Sequence, residues 1–104
     1  MGVDIRTLPY NNTLGNYMFE AKRNELLQVA NEYNVSFGEL QDILHRELSA
    51  SGTKVGACNT AVDFLIVETL NQKRKYKSVK VAIENNILAS AIYYVNGIGK
   101  GEYV

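Results

Sequence analysis

Val29-Ala30-Asn31-Glu32-Tyr33-Asn34-Val35-Ser36-Phe37-Gly38-Glu39-Leu40-Gln41-Asp42-Ile43 is the stretch that decides the fold. Ser36 followed three residues later by Glu39 forms a capping box, which supplies partners to the unpaired amides of a helix start. Leu40, Ile43, Leu44 and Leu48 then recur at helical spacing and give that helix one apolar face. Upstream, Met18, Ala21, Leu26, Val29, Ala30 and Tyr33 fall near one face of an earlier helix, with Asn16 as its cap. Asn34 stops that helix, because asparagine tolerates the left-handed conformation of a helix end. Two helices crossing steeply over so short a turn need particular residue types. Ala30 is small where the backbones approach, Asn34 turns the chain and Val35 plugs the corner. Leu40 and Ile43 point back at the first helix.

Working outward, Ser49-Ala50-Ser51-Gly52-Thr53-Lys54-Val55-Gly56 reads as a flexible connection. A third helix is expected from Asn59 or Thr60, with Asp63 repeating the cap spacing, to about residue 73. Residues 78–95 suit a fourth helix through Val79, Ile83, Ile87, Ala91 and Tyr94. The same segment alternates at Val79, Val81 and Ile83, and Asn85-Asn86 could be a tight turn, so a β-hairpin is the alternative. Residues 1–15, with Pro9, Gly15 and Asn11-Asn12-Thr13, read as an extended arm, and residues 97–104 as a flexible tail. The expected fold is all-α. It is one domain over residues 16–96, with helices at about 16–33, 36–49, 59–73 and 78–95; the hairpin would convert it to a winged form.

Composition narrows the function classes. With 46% hydrophobic and 21% charged residues the chain is globular rather than disordered. No apolar run approaches the roughly 20 residues of a membrane span, and the N-terminal residues show no signal-peptide pattern. The sequons at Asn11 and Asn34 therefore read as coincidences, and the expected location is cytoplasmic. Cys58 is the single cysteine and His45 the single histidine. No intrachain disulfide can form, and a structural zinc site lacks ligands. No cofactor is implied. The net charge of zero conceals an asymmetry: seven acids against four bases up to Thr53, and seven bases against four acids beyond it.

The corner at residues 26–48 resembles the helix-turn-helix superfamily of DNA-binding proteins. The resemblance covers that segment alone, and it departs from the common pattern in having Asn34 where glycine is most frequent. It implies that the helix after the turn is a recognition helix presenting Ser36, Phe37, Gln41, Asp42, His45 and Arg46. Glutamine can bond adenine at two points, arginine can reach guanine or phosphate, and serine can hold phosphate at the helix start. Structure alone also accounts for several of them: Ser36 and Glu39 as a capping box, Asp42 and Arg46 as an i,i+4 ion pair, and His45 as a surface residue. Asp42 and Glu39 would repel a phosphate backbone.

Lys73, Arg74, Lys75, Tyr76, Lys77 and Lys80 make the densest basic patch, with Tyr76 available for stacking. Lysines meeting the negative end of a helix explain it equally. Ile92, Tyr93 and Tyr94, in an apolar last segment, suggest a dimer or partner surface. Gly97-Ile98-Gly99-Lys100-Gly101 lacks the spacing of a phosphate loop, and Cys58 with His45 has no orienting third group. The expectation is a non-enzymatic transcriptional regulator of bacterial or mobile-element kind, a homodimer bound to double-stranded DNA. The alternative is an adaptor or inhibitor, for example phage-encoded, that binds a host protein handling nucleic acid.

Overall fold

A computed structural model describes residues 19–95, with the backbone alone for Tyr94 and Val95. The regular elements in this span are helical: α1 (Arg23–Glu32), α2 (Phe37–Ser51), α3 (Val55–Ile66), a π-helical turn (Val67–Asn71) and α4 (Val79–Val95). The fold is all-α, and no strand occurs among the described residues. The arm expected at residues 1–15, the cap expected at Asn16 and the tail expected at 97–104 lie outside them. The expected first helix is interrupted. Residues 19–21 are helical, the chain turns at Lys22, and α1 follows. Lys22 is turned toward α3, where its Nζ lies 2.7 Å from Asp63.

The corner between α1 and α2 is built almost wholly from local interactions. Asn34 adopts φ 59°. Its N–H donates to Asn31 O at 3.2 Å and that of Val35 to Ala30 O at 3.0 Å. This pair of bonds is the Schellman closure, which satisfies carbonyls that the helix end leaves open. Ala30 is buried where the helices approach, and Val35 packs onto the core. Ser36 Oγ then accepts from Glu39 N–H at 3.0 Å, so the serine half of the expected capping box is formed. Leu40, Leu44 and Leu48 bury one face of α2 against Leu26 and Val29 of α1. Each such side chain contributes about 1.5–3 kcal/mol through the water it leaves.

The connection after α2 departs from expectation. The helix continues to Ser51 and is ended by Gly52 at φ 69°, a conformation that glycine adopts without a side-chain clash. Ser51 Oγ donates to Leu48 O at 2.8 Å. α3 then starts at Val55, not at Asn59 or Thr60. Val55, Gly56, Ala57 and Cys58 are all buried, so the small residues that resemble a linker form the first turn of a core helix. The cap expected from Asp63 does not form. Thr60 Oγ1 donates to Gly56 O inside the helix at 3.1 Å, and Asp63 takes Lys22.

α3 runs directly into the π turn, in which Gln72 N–H reaches Val67 O at 3.0 Å. Lys73 then takes a left-handed φ of 57°, and Arg74 N–H closes on Glu68 O at 2.9 Å. α4 follows as one continuous helix, so the β-hairpin of the winged alternative is not formed. Asn85 and Asn86, read as a possible turn, lie inside it. Asn86 is 3% exposed, and its Nδ2 donates to Ala82 O at 2.8 Å and to Glu68 Oε1 at 3.0 Å. Ser90, fully buried, donates to Ile87 O at 2.9 Å. Helix carbonyls thus satisfy two buried polar side chains. Packing on α3 and α2 overrides the β preference of the branched residues.

Candidate nucleic-acid interface

Several of the residues expected to touch a ligand fall into two clusters. The first is a groove of about 690 Å³ lined by Ser36, Gly38, Glu39, Asp42, Ile43, Arg46 and Glu47 of α2 and its cap, with Lys80 of α4 on the opposite side. α2 brings these side chains together because its other face is spent on Leu40, Leu44 and Leu48. Asp42 and Arg46 share the groove without the ion pair expected between them, and the ion pairs at this end of α4 include Lys80 with Glu84 at 3.8 Å. Arg46 is therefore exposed and available. The groove carries three carboxylates against two cations.

The second cluster is the basic loop between the π turn and α4. Tyr76 fixes it to the corner: its backbone N–H donates to Tyr33 Oη at 3.0 Å, across 43 residues of sequence. Lys75 Nζ stands 5.9 Å from the centre of the Tyr33 ring, within reach of a weak cation–π contact. The Tyr76 hydroxyl donates to Glu68 Oε2 at 2.9 Å and accepts from Asn85 Nδ2 at 2.8 Å. With Asn86 on the other carboxylate oxygen, Glu68 joins the π turn, the loop and α4 in one polar network. The carboxylate is 13% exposed. Tyr76 is consequently a half-buried clasp rather than an open stacking platform. Arg74 Nη1 lies 3.5 Å from both Glu68 Oε2 and Tyr76 Oη, and its guanidinium remains 64% exposed. The hydrogen bond to Tyr76, with the nearby Glu68 carboxylate, raises its pKa.

The exposed cations of the loop do not all face one way. Lys75, Lys77 and Lys80 are exposed around the corner and the start of α4. Lys73 instead borders a groove of about 500 Å³ between α1 and the π turn, with Glu25 and Glu32 on its far wall. Phe37 is half-buried against the core and covered by Arg23, whose Cζ lies 4.6 Å from the ring centre. Gln41 is also partly buried and is not among the groove-lining residues. His45 is not the open surface residue that the sequence suggests. It is partly buried with its ring 4.8 Å from that of Phe19, and burial lowers its pKa, with Asp42 pulling the other way.

Tyr93, expected on an outer surface, is half-buried and meets Phe64 edge-on at 5.5 Å. Ile92 is 51% exposed as expected, and the side chain of Tyr94 lies outside the described ones. Cys58 is fully buried, its Sγ 3.5 Å from Thr53 O, and burial pushes its thiol up to about 12. Such a thiol supplies almost no nucleophilic thiolate near neutral pH. Among the described residues no group of three His, Cys, Asp or Glu could hold a metal, and no helix is long and apolar enough to cross a membrane.

No protein-family model, no curated protein and no solved structure matches the chain. Its candidate function therefore rests on its own residues. Sequence reasoning missed Glu68, Tyr33 and Asn86, which position the basic loop. The one available signal was a pair of asparagines inside an otherwise apolar segment, where buried polar groups require partners.

Proposed function

We propose that this chain is a small non-enzymatic regulator that binds duplex DNA. The start of α2 would enter the groove in a helix-turn-helix manner while the basic loop and Lys80 at the start of α4 meet the backbone. One observation carries the reading: the basic loop is clasped to the corner from which α2 starts, through Tyr76 N–H and Tyr33 Oη. Lys80 and Ser36 then border a single groove. Lys75, Lys77 and Lys80 supply phosphate contacts, and Ser36 with the first amides of α2 favours an anion at the helix start. Arg46 is the exposed arginine placed to read a base edge. Glu39 and Asp42 repel phosphates, but a carboxylate within the major groove can accept from cytosine N4.

Titration of the full chain against random-sequence duplex across a salt series tests this. Three to four phosphate contacts give a log–log salt slope of about −3. Lys75→Glu with Lys77→Glu should weaken binding by at least about tenfold and flatten the slope by about two. Absence of any bound duplex at low salt refutes the reading.

A second reading has its own support. Glu39, Asp42 and Glu47 dominate the exposed side of α2, which suits an adaptor or inhibitor docking on a basic surface of a protein that handles nucleic acid. Charge reversal at Glu39 and Asp42 separates the two. It strengthens binding to DNA and abolishes binding to a basic protein surface.

A further inference from the structure

α4 is apolar on both of its sides. Its inner side, with Val79, Ala82, Ile83, Asn86 and Ser90, is buried. Its outer side exposes Val81 at 38%, Leu88 at 61% and Ile92 at 51%. These three, together with exposed Asn85, are spaced by four, three and four residues. That spacing sets them on one face of the helix and matches the core positions of a heptad seam, here over fewer than two heptads.

The identities along the seam have a consistent assignment. With Asn85 and Ile92 at the first core position of the heptad, Val81 and Leu88 fall at the fourth. A β-branched residue at the first position with leucine at the fourth favours two parallel strands, and a single asparagine at the first position sets register and pair number. Asn85 uses Nδ2 toward Tyr76 Oη, and its carbonyl oxygen makes no hydrogen bond among the described residues. An asparagine in the same place on a second helix has an amide N–H that this oxygen can accept in place of water.

Charge is compatible with the same occupant. Residues 85–95 contain no charged side chain, and Lys80 and Glu84 beside the seam pair with each other at 3.8 Å. A charged partner gains nothing there, whereas an identical neutral strip meets no repulsion. Four part-exposed side chains fall well short of the roughly 800 Å² that each partner of a standard interface buries. That places it in the class of weak complexes.

We propose that the outer stripe of α4 (Val81, Asn85, Leu88, Ile92) is the docking surface for a second copy of this chain, whose α4 packs against it in parallel and in register. Association is then weak and reversible. The stripe adjoins the basic loop through Asn85 and Tyr76, but association is read without DNA, so the proposal does not depend on DNA binding.

Sedimentation of the full chain without DNA from about 1 to 500 µM should show a monomer–dimer equilibrium. Leu88→Glu and Ile92→Glu should each raise the dissociation constant at least about tenfold, with helicity by circular dichroism unchanged because both side chains are already exposed. Asn85→Leu should tighten association, since a core asparagine lowers stability in return for register. Orientation is read by oxidative cross-linking of variants carrying one added surface cysteine, buried Cys58 remaining inert. Val81→Cys and Ile92→Cys lie about 16 Å apart on the helix. Each should cross-link to its own kind in a parallel pair. Cross-linking only between the two variants would overturn the parallel arrangement. A monomer at every concentration, or a dimer indifferent to Leu88→Glu and Ile92→Glu, would overturn the surface itself, including the case in which another segment of the same chain covers the stripe.

Discussion

Replacing Glu68 by alanine removes the carboxylate that joins three parts of the molecule. Tyr76 Oη at 2.9 Å and Asn86 Nδ2 at 3.0 Å both lose their acceptor, and the longer Arg74 contact is lost as well. Deleting one partner of a hydrogen bond to a charged group costs about 1.5–3 kcal/mol. The two short bonds set the scale. Tyr76 is half-buried and can recover part of the loss from water, while Asn86 keeps Ala82 O. A net loss of about 3 kcal/mol is expected, a sizeable share of the roughly 5–15 kcal/mol that holds a domain together. Urea unfolding followed by circular dichroism measures it as a lower midpoint at unchanged slope. Glu68→Gln should lose about 1–2 kcal/mol, because the amide still accepts at one end but presents a donor at the other. A double-mutant cycle of Glu68→Gln with Tyr76→Phe should give a coupling of about 1 kcal/mol. A Glu68→Ala variant within about 0.5 kcal/mol of the parent, with no coupling in the cycle, would refute the network.

Two further outcomes follow from single residues. Asn34 at φ 59° should accept glycine with little change, whereas Asn34→Val should lower stability by about 1–2 kcal/mol through the left-handed backbone; equal melting temperatures for the two variants contradict the corner. His45 has a lowered pKa in the folded chain, so below the ordinary histidine value of about 6.5 the unfolded chain binds more protons than the folded one. Stability contributed by neutral His45 is therefore present above that value and lost as pH falls through it toward the lowered folded pKa. The stability difference between the parent and His45→Gln should shrink over that interval, and a difference independent of pH argues against the burial of the ring.

The corner was legible in the sequence because its physics is local. Asn34, Val35, Ser36 and Glu39 satisfy the ends of two helices through bonds that span three to five residues, and residue type at fixed spacing is enough to specify them. The all-α class followed in the same way from apolar spacing in α2 and α4. The start of α3 did not. Val55 and Gly56 close a stretch rich in Ser, Gly and Thr that reads as a linker, and only the space left by the packed core makes them the start of a buried helical turn. The basic loop was visible as charge but not as position. Its place beside the corner depends on Tyr33 and Tyr76, 43 residues apart, and on a π turn that aims Glu68 at α4. Likewise the sequence marked residues 78–95 as apolar without saying which side is inside. Packing on α3 and α2 decided that, burying Ile83 and Asn86 and leaving Val81, Leu88 and Ile92 outward. Periodicity fixes which residues share a face; only the tertiary contacts fix which face is covered.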